Sequence, residues 1–422
     1  MNSLPKRLID GALFTYLTLV IMNSVKFIGI IMTIGSIGKL LFCLIFIASV
    51  LLFTNESKQR IVFLRKKEWI ISISLLLVFS VVFILKTGTR INLLAGIAFP
   101  IYFIFYFLII KYYTSIYRTR VGRNMKSLIK INILKIFRKA LAVNFIIWLP
   151  LSIVLRAKLF EDEGGFGGFF EDEIHFGFYV VTGFLTSFYL RYAANSKDNS
   201  YYNTILLFVY GSIALFTSRN ALLIVMITII FYFLISKIKT KFYRIASLAL
   251  TIILINSSLL FFLSREKISE ITSGRYEIWL LALDNIVSKG FLIFGSGLFN
   301  LNDVILRENK GIGLYYLDEL KTLSFHSSYL EMLASGGLIL IICFFRTITK
   351  VWKLISVIDR SVIIGILTGA LFESFLVQPF MLIAALFYFL LITNNTVLKF
   401  KIKEATEFVN SKNLIVVNRG GN

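Results

Sequence analysis

Charged residues are scarce in this chain. Only 16% of its 422 residues are Asp, Glu, Lys or Arg, whereas 57% are hydrophobic. Soluble domains carry about 25% charged residues, so this composition excludes an ordinary soluble globular protein. Apolar runs long enough to cross a hydrocarbon core of about 30 Å recur along the whole length. The sequence therefore predicts an all-α, polytopic membrane protein that forms one integral membrane domain over residues 1–422.

Cysteine and histidine are almost absent. The two cysteines, Cys43 and Cys343, lie in apolar runs and are predicted to be packing residues rather than a disulfide or a metal pair. The two histidines, His175 and His326, are not clustered with other side chains at the spacing of a metal site. We therefore expect no metal ion and no cofactor. No cleavable signal peptide is evident, because the first apolar run leads directly into further apolar runs.

Negative charge is the scarcer sign, with 23 Asp and Glu against 45 Lys and Arg and a net charge of +22. The cytoplasmic loops of membrane proteins collect basic residues, so this excess does not predict a nucleic-acid partner. If the basic segments 58–67, 111–139, 237–244 and 399–403 all face the cytoplasm, the chain crosses twelve times with both termini inside. The predicted spans are 12–33, 36–54, 69–86, 91–110, 140–156, 174–191, 201–217, 221–236, 246–264, 327–345, 361–376 and 380–397.

The same assignment places two loops and a tight turn at Ser218–Asn220 on the external side. The first loop, 157–173, is acidic and rich in glycine; a solvated loop is the simpler interpretation, and a sugar- or cation-binding lip is the alternative. The second is the one large external loop, 265–325. Its apolar residues between Arg275 and Lys289 favour one side of a helix, which predicts an amphipathic helix along the membrane surface.

Three polar residues that are far apart in sequence fall on this external side. Arg219 sits in the tight turn, Arg275 starts the amphipathic segment, and His326 precedes a late apolar run. A guanidinium fork matches phosphate oxygens, and an imidazole changes its protonation near neutral pH. Together they can bind a diphosphate and move a proton. The structural alternatives are an arginine that snorkels to lipid headgroups and a histidine that caps a helix.

Three further residues are candidates for substrate binding. Glu277 belongs to the same predicted helical turn as Arg275, and His175 lies at the membrane end of the acidic loop. Glu331 falls inside a predicted membrane helix, where a carboxylate is costly without a partner. We expect Glu331 to orient His326, to pair with an arginine or to line a wet cavity.

Four short motifs follow one another in the second half of the chain. They are "SRNAL" at 218–222, "SGRYEIW" at 273–279, "GSGLF" at 295–299 and "HSSYLEMLASGGL" at 326–338. Their order, their spacing and the large external loop before the last motif resemble the O-antigen polymerase and O-antigen ligase family of bacterial polysaccharide assembly. The resemblance covers Asn144 to Phe345, and the first four predicted helices contribute only hydrophobicity to it.

The resemblance implies a membrane glycosyltransferase (GT-C-like) fold with its active site at the outer face of the bacterial plasma (inner) membrane. It implies that the substrates are undecaprenyl-diphosphate-linked oligosaccharides. Arg219 and Arg275 would hold the donor diphosphate, and His326 would act on the acceptor hydroxyl or assist the leaving group. Membrane lipids, a chain-length regulator and a flippase are the implied partners. The product would be a surface polysaccharide such as the O-antigen of lipopolysaccharide or a capsule.

Three kinds of function compete at this point. The favoured one is a polymerase that joins oligosaccharide repeat units, with a ligase that transfers the glycan to a lipid or wall acceptor as the closest alternative. A flippase or transporter is also compatible with twelve crossings, but transporters usually show internal repeats, and the two halves of this sequence show no similarity. A non-enzymatic scaffold that docks partners or anionic lipid through the basic segment 111–139 is the third.

Overall fold

A computed structural model describes residues 3–25, 29–55, 93–117, 125–154, 166–170, 172–193, 200–237, 272, 274–308, 324–352 and 355–394. Within these ranges the chain is helical and has no strand; a single antiparallel bridge joins Val25 to Phe170. The described helices are α1 (Ser3–Met22), α2 (Gly29–Asn55), α3 (Leu93–Tyr117), α4 (Met125–Val154), α5 (Glu173–Tyr192), α6 (Ser200–Ala214), α7 (Arg219–Lys237), α8 (Arg275–Ser288), α9 (Asn300–Glu308), α10 (Ser328–Trp352), α11 (Val357–Gly369) and α12 (Leu382–Asn394).

Four of the described helices are long and apolar enough to cross a membrane. They are Ala98–Tyr117 within α3, Met125–Val154, Arg219–Ser236 within α7, and Ser328–Trp352. Two shorter apolar helices, Ile37–Val50 and Leu382–Asn394, accompany them. These helices support the prediction of an all-α membrane protein. The count of twelve crossings and the GT-C-like fold stay predictions, and the predicted spans 69–86 and 246–264 lie outside the described residues.

The basic segment 111–139 is not one loop, as the sequence suggested. Helix α3 continues to Tyr117, and α4 begins at Met125, well before the predicted span at 140. Lysine and arginine are good helix formers, so a basic stretch can extend a membrane helix into the aqueous phase. Lys130 is even buried within this extension, with only 6% of its side chain exposed. The positive charge therefore lies largely on helices rather than on a free loop.

Lys130 belongs to a buried polar network that joins four helices. Its ammonium lies 2.8 and 2.6 Å from the two carboxylate oxygens of Asp359 at the start of α11. Tyr189 of α5 donates to the same carboxylate at 3.1 Å, and the amide oxygen of Asn394 in α12 accepts from Lys130 at 3.2 Å. Ser356 and Asp359 also form a capping box on α11. Each buried charge thus has several partners.

Breaking this network is expected to be costly. Asp359→Ala would leave the Lys130 ammonium buried without a counter-charge, which costs about 3–5 kcal/mol of unfolding free energy. The exposed pair between Lys289 and Glu308 is the control, because removing it with Lys289→Ala should cost less than about 1 kcal/mol. Thermal unfolding of the detergent-purified chain measures both. Equal shifts for the two variants would show that the buried network does not stabilise the bundle.

Close contact between α7 and α11 holds the end of α11 near Arg219. A side chain at Gly365 would meet the Thr228 hydroxyl at 2.0 Å, and one at Gly369 would meet the Ile224 side chain at 2.4 Å. Small residues one turn apart allow two membrane helices to approach closely. The Asn220 amide also donates to the Gly369 carbonyl at 3.1 Å. The segment that follows α11 therefore starts beside the turn that carries Arg219.

The part of the acidic loop's glycine-rich core that the structure describes, residues 166–170, is packed rather than solvated. The acidic residues 161–163 and 171 lie outside the described residues, so both interpretations of the loop as a whole stay predictions. Within the described part of the loop, Phe169 and Phe170 are buried, and their rings lie 5.4 and 5.8 Å from that of Phe176 in α5. Gly168 has a positive φ of 56° and faces the same Phe176 ring. The aromatic residues fill the interior because the adjacent pair Gly167 and Gly168 lets the backbone turn inward. Phe169 and Phe170 are therefore not exposed to a ligand, and a lip formed by the rest of the loop stays a prediction.

Candidate functional site

The carboxylate of Glu373 lies between two of the predicted site residues. Its Oε1 accepts a hydrogen bond from Arg275 Nη2 at 2.7 Å, and its Oε2 lies 3.3 Å from His326 Nδ1. Glu373 is buried, with 8% of its side chain exposed, whereas 20% of Arg275 and 29% of His326 remain exposed. The result is a cluster of one guanidinium, one carboxylate and one imidazole, in which the guanidinium and the imidazole are partly exposed.

Helix α8 carries Arg275 in its first turn and is fixed against both neighbouring segments. The second guanidinium nitrogen of Arg275, Nη1, donates to the Phe372 carbonyl at 2.9 Å. One turn further on, the Trp279 indole donates to the Phe325 carbonyl at 2.8 Å. The helix therefore contacts the residue before Glu373 and the residue before His326. These two bonds set the geometry between Arg275 and the rest of the cluster.

His326 lies two residues before α10 in a left-handed backbone conformation, with φ of 47°. This conformation is unfavourable for a residue with a side chain and costs about 1 kcal/mol or more. The His326 N–H donates to the Ser324 hydroxyl at 3.2 Å, and Ser324 shares a 2.8 Å hydrogen bond with Ser374. Backbone strain of this kind persists only where the surroundings enforce it, and it often marks functional positions.

Two hydrogen bonds of the Ser328 hydroxyl connect the first turn of α10 to the segment around Glu373. The Ser328 hydroxyl donates to the Glu373 carbonyl at 2.7 Å and accepts from the Leu376 N–H at 3.1 Å. The Ser328 N–H points at the carbonyls of Ala370 and Glu373. The segment between α11 and α12 covers residues 370–381 and contains a short 3-10 helix at Phe375–Val377. This segment forms one wall of the cluster.

A break in α10 explains the "GSG" motif, residues 295–297 at the start of "GSGLF". Gly337 has φ of 63° and ψ of −164°, and it interrupts the helix. The chain before and after Gly295 lies along the break: Ser296 and Gly297 donate to the carbonyls of Ala334 and Ser335, while Leu338 donates to the Leu292 carbonyl. The motif thus satisfies backbone groups that the broken helix leaves open. It also holds residues 334–338 of α10 in place.

Arg219 is not brought into contact with the cluster. It was predicted in the tight turn before the helix and is the first residue of α7. Its side chain is exposed, and within the described residues its guanidinium has no ion-pair partner. Its neighbour Asn220 is bonded to Gly369, four residues before Glu373. Arg219 therefore stands beside the cluster and separate from it. A diphosphate site shared by Arg219 and Arg275 stays a prediction.

Glu331 makes neither of the pairings that the sequence predicted. It is fully buried in α10, and its Oε1 accepts from the Asn302 amide at 2.9 Å and from the Phe325 N–H at 3.0 Å. It does not hydrogen-bond to the His326 ring or to an arginine among the described residues. The Glu331 side chain points toward Asn302 of α9. Its position in the first turn of α10 sets this direction.

His175 and Glu277 lie outside the Arg275–Glu373–His326 contacts. His175 Nδ1 is 2.6 Å from the Asp172 carboxylate, which also caps α5. Burial raises the pKa of Asp172, but the hydrogen bonds from His175 outweigh it and leave the pKa below its usual value. Glu277 lies in the first turn of α8 and is partly exposed. Both stay predictions as substrate-binding residues.

Glu373 is the functional candidate that sequence reasoning missed. It lies 98 residues after Arg275 and 47 after His326, so no local motif connects the three. The available signal was chemical: a carboxylate near the external end of the predicted span 361–376 is costly unless a cation or a hydrogen-bond donor meets it. Glu331 and Glu373 share this feature, since both are carboxylates within predicted membrane spans.

The comparison with known protein families gives a match in the middle of this chain. Residues 204–345 match the family model Wzy_C, which is described as O-antigen ligase. The resemblance to the O-antigen ligase and polymerase family is confirmed. The matched residues include Arg219, Arg275 and His326 but end before Glu373. No curated protein matches the chain. The family supports a function in O-antigen ligation or polymerisation, without separating the two.

Proposed function

We propose that the protein is a glycosyltransferase that polymerises surface polysaccharide from undecaprenyl-diphosphate-linked oligosaccharide repeat units. The observation that carries the proposal is the meeting of Arg275 and His326 on the single carboxylate of Glu373. A diphosphate leaving group is already activated, so the protein needs no covalent nucleophile. It has to neutralise developing negative charge and orient an acceptor hydroxyl, and this cluster offers groups for both tasks.

Arg275 supplies the positive charge for the leaving diphosphate. A guanidinium has five N–H donors, and the contacts to Phe372 and Glu373 use one donor each on Nη1 and Nη2. Donors remain on the exposed part of the side chain for phosphate oxygens. Because Glu373 and Phe372 hold the fork in place, little side-chain entropy is lost when the donor binds. Arg219, on the neighbouring turn, is the second proposed diphosphate ligand.

His326 accepts the proton of the acceptor hydroxyl in this proposal. With a proton on Nδ1 held by the Glu373 carboxylate, the other ring nitrogen, Nε2, is the acceptor. The acceptor oxygen bonds to the anomeric carbon of the donor while the bond from that carbon to the diphosphate oxygen breaks. The hydroxyl proton passes to Nε2, and the electron pair leaves with the diphosphate. A single displacement of this kind inverts the anomeric centre.

Glu373→Gln is expected to lower the transfer rate about 10²-fold, because the amide cannot stabilise a protonated His326 as a carboxylate does. Glu373→Asp should retain more activity if its shorter carboxylate still reaches the imidazole. The rates should be measured across a range of pH with purified enzyme and lipid-linked substrate. A Gln variant with the wild-type rate and pH profile would remove Glu373 from the proton transfer.

The proposal places the site at the outer face of the bacterial plasma membrane. The physical support is the distribution of charge: the basic segments fall on one predicted side, and the residues of the cluster fall on the other. At such an interface water is partly excluded, so electrostatic stabilisation by Arg275 is stronger than in bulk water. A chain-length regulator and a flippase are the proposed protein partners.

The ligase is the second candidate, because the matched family is described as O-antigen ligase. A polymerase and a ligase share the donor and differ in the acceptor. Deletion of the gene followed by glycan length analysis separates them. Single repeat units on the lipid core would support the polymerase. Loss of all attached glycan, with long lipid-linked chains intact, would support the ligase instead.

A further inference from the structure

Glu331 has one carboxylate oxygen that the protein leaves without a donor. The side chain is fully buried in the first half of α10. Its Oε1 accepts from Asn302 and from the Phe325 N–H, but no described group donates to Oε2. Buried polar atoms are nearly always hydrogen-bonded, so an exception on a carboxylate calls for an explanation. The proposed transfer reaction does not use this residue.

Two further buried oxygens, one on α10 and one on α9, also have no donor among the described residues. Ser335 Oγ lies one helical turn after Glu331 on the same face of α10, and Asn300 Oδ1 lies in the first turn of α9. Both residues are buried, Ser335 at 1% and Asn300 at 0% exposure. Hydrogen bonds connect α9, Ser296 of the "GSG" motif and the first half of α10. Asn302 bonds to Glu331, while Asn300 donates to the Ser296 carbonyl, and Ser296 donates to the Ala334 carbonyl.

Among the described residues, no ion pair balances a negative charge on the Glu331 carboxylate. No lysine, arginine or histidine forms an ion pair with Glu331 in the described part of the chain, and apolar side chains line the same α8–α9–α10 contact: Ala282, Ile286, Leu301, Ile305 and Phe325. The first half of α10 ends at Gly337, where the helix breaks. The carbonyl end of a helix carries partial negative charge, which adds to that of the carboxylate. A carboxyl group buried in such surroundings either binds a positive charge or takes up a proton.

We propose that Glu331 Oε2, Ser335 Oγ and Asn300 Oδ1 bind a small monovalent alkali cation, with sodium as the expected ion. Oxygen-only ligands select hard cations over zinc or copper. A single carboxylate balances one positive charge, whereas calcium sites in proteins usually draw on several carboxylates. Broken membrane helices and the carbonyl ends of half-helices bind sodium in other membrane proteins.

The cation would link α9 to the first half of α10, the helix that follows His326. It joins a carboxylate and a hydroxyl of α10 to an amide oxygen of α9, which belongs to the large loop. It takes no part in the proposed glycosyl transfer, so the two proposals fail independently. Binding to the folded state alone raises thermal stability, because the bound ion stabilises that state by mass action.

Thermal unfolding of the full-length, detergent-purified chain tests the site. The unfolding temperature of the wild type at pH 8 should be a few degrees higher in sodium chloride than in choline chloride at equal ionic strength. Glu331→Gln should fold, since its amide oxygen can still accept from Asn302 and Phe325, but it should lose the sodium response. Ser335→Ala should raise the half-saturating sodium concentration about tenfold through loss of one ligand. Potassium in place of sodium reports the size preference.

Glu308→Gln is the matched control, because Glu308 is an exposed carboxylate at the other end of α9 that pairs with Lys289. This variant should keep the full sodium response. Equal unfolding temperatures of the wild type in sodium, potassium and choline chloride would overturn the proposal. So would a sodium response that survives Glu331→Gln. Stabilisation by low pH alone, without any response to alkali ions, would show that a proton neutralises Glu331 and would overturn the cation site.

Discussion

Arg275→Ala lowers glycosyl transfer by about 10²- to 10³-fold in this account, because it removes the charge that faces the leaving diphosphate. Arg275→Lys should fall between the alanine variant and the wild type, since a lysine keeps the charge but loses the planar fork that contacts Phe372 and Glu373 together. The rates are to be measured with purified protein and a lipid-diphosphate-linked repeat unit. Folding of each variant is checked by its unfolding temperature.

Arg307 offers a matched control for Arg275. It is an exposed arginine in the last turn of α9, in the same large loop, and Arg307→Ala should leave the transfer rate unchanged. His326→Ala should match Arg275→Ala in size, and the double variant should be little worse than either single one, because residues that act as a unit are not additive. A folded Arg275→Ala protein with an unaltered rate would remove this residue from the reaction.

Gly337→Ala is expected to destabilise the protein by about 3 kcal/mol or more. The residue has φ of 63°, and a Cβ there would lie 2.1 Å from the Ile293 carbonyl oxygen and 2.5 Å from the Phe294 nitrogen. Both obstacles are backbone atoms, which cannot rotate away as a side chain can. Backbone strain and overpacking therefore add together at this position. The unfolding temperature and the yield of folded protein measure the effect.

Alanine substitutions at two other glycines separate the effect of backbone strain on stability from the effect of overpacking. Gly290 also has a positive φ, 75°, but nothing lies within 4 Å of the position that a Cβ would take there, so Gly290→Ala should cost only about 1 kcal/mol from strain. Gly11 lies in α1 with open space around it, and Gly11→Ala should be neutral or slightly stabilising. If Gly337→Ala were no worse than Gly290→Ala, the close packing of the "GSG" segment against the break in α10 would be refuted.

The helices and two of the site residues could be predicted from the sequence. Hydrophobic length gives the membrane helices, and the described boundaries of α6 and α7 lie within a few residues of the predicted spans. The amphipathic helix at 275–289 is present as α8. Its Ile286 is buried against α9 and α10, while Leu283 and Val287 are exposed. Its place along the membrane surface stays a prediction. Arg275 and His326 were found because polar residues at one side of a membrane stand out against apolar runs.

The remaining features depend on contacts between distant parts of the chain. Glu373 contacts Arg275 across 98 residues, and Lys130 contacts Asp359 across 229. No periodicity or local motif encodes such pairs; each becomes visible only when helices pack together. The role of Gly337 has the same origin, since a positive φ inside an apolar run is set by the segment 291–297 that packs against it. Sequence therefore predicts the elements, and tertiary packing decides which polar groups meet.

The central claim is that the Arg275–Glu373–His326 cluster faces the outside of the cell. Single cysteines introduced at the two ends of α10, His326→Cys and Lys350→Cys, in a chain without Cys43 and Cys343, test it with a membrane-impermeant maleimide on intact spheroplasts. We expect the cysteine at position 326 to be labelled and the one at 350 to react only after the membrane is permeabilised. Labelling of position 350 in intact spheroplasts, with protection of position 326, would place the cluster on the cytoplasmic side instead.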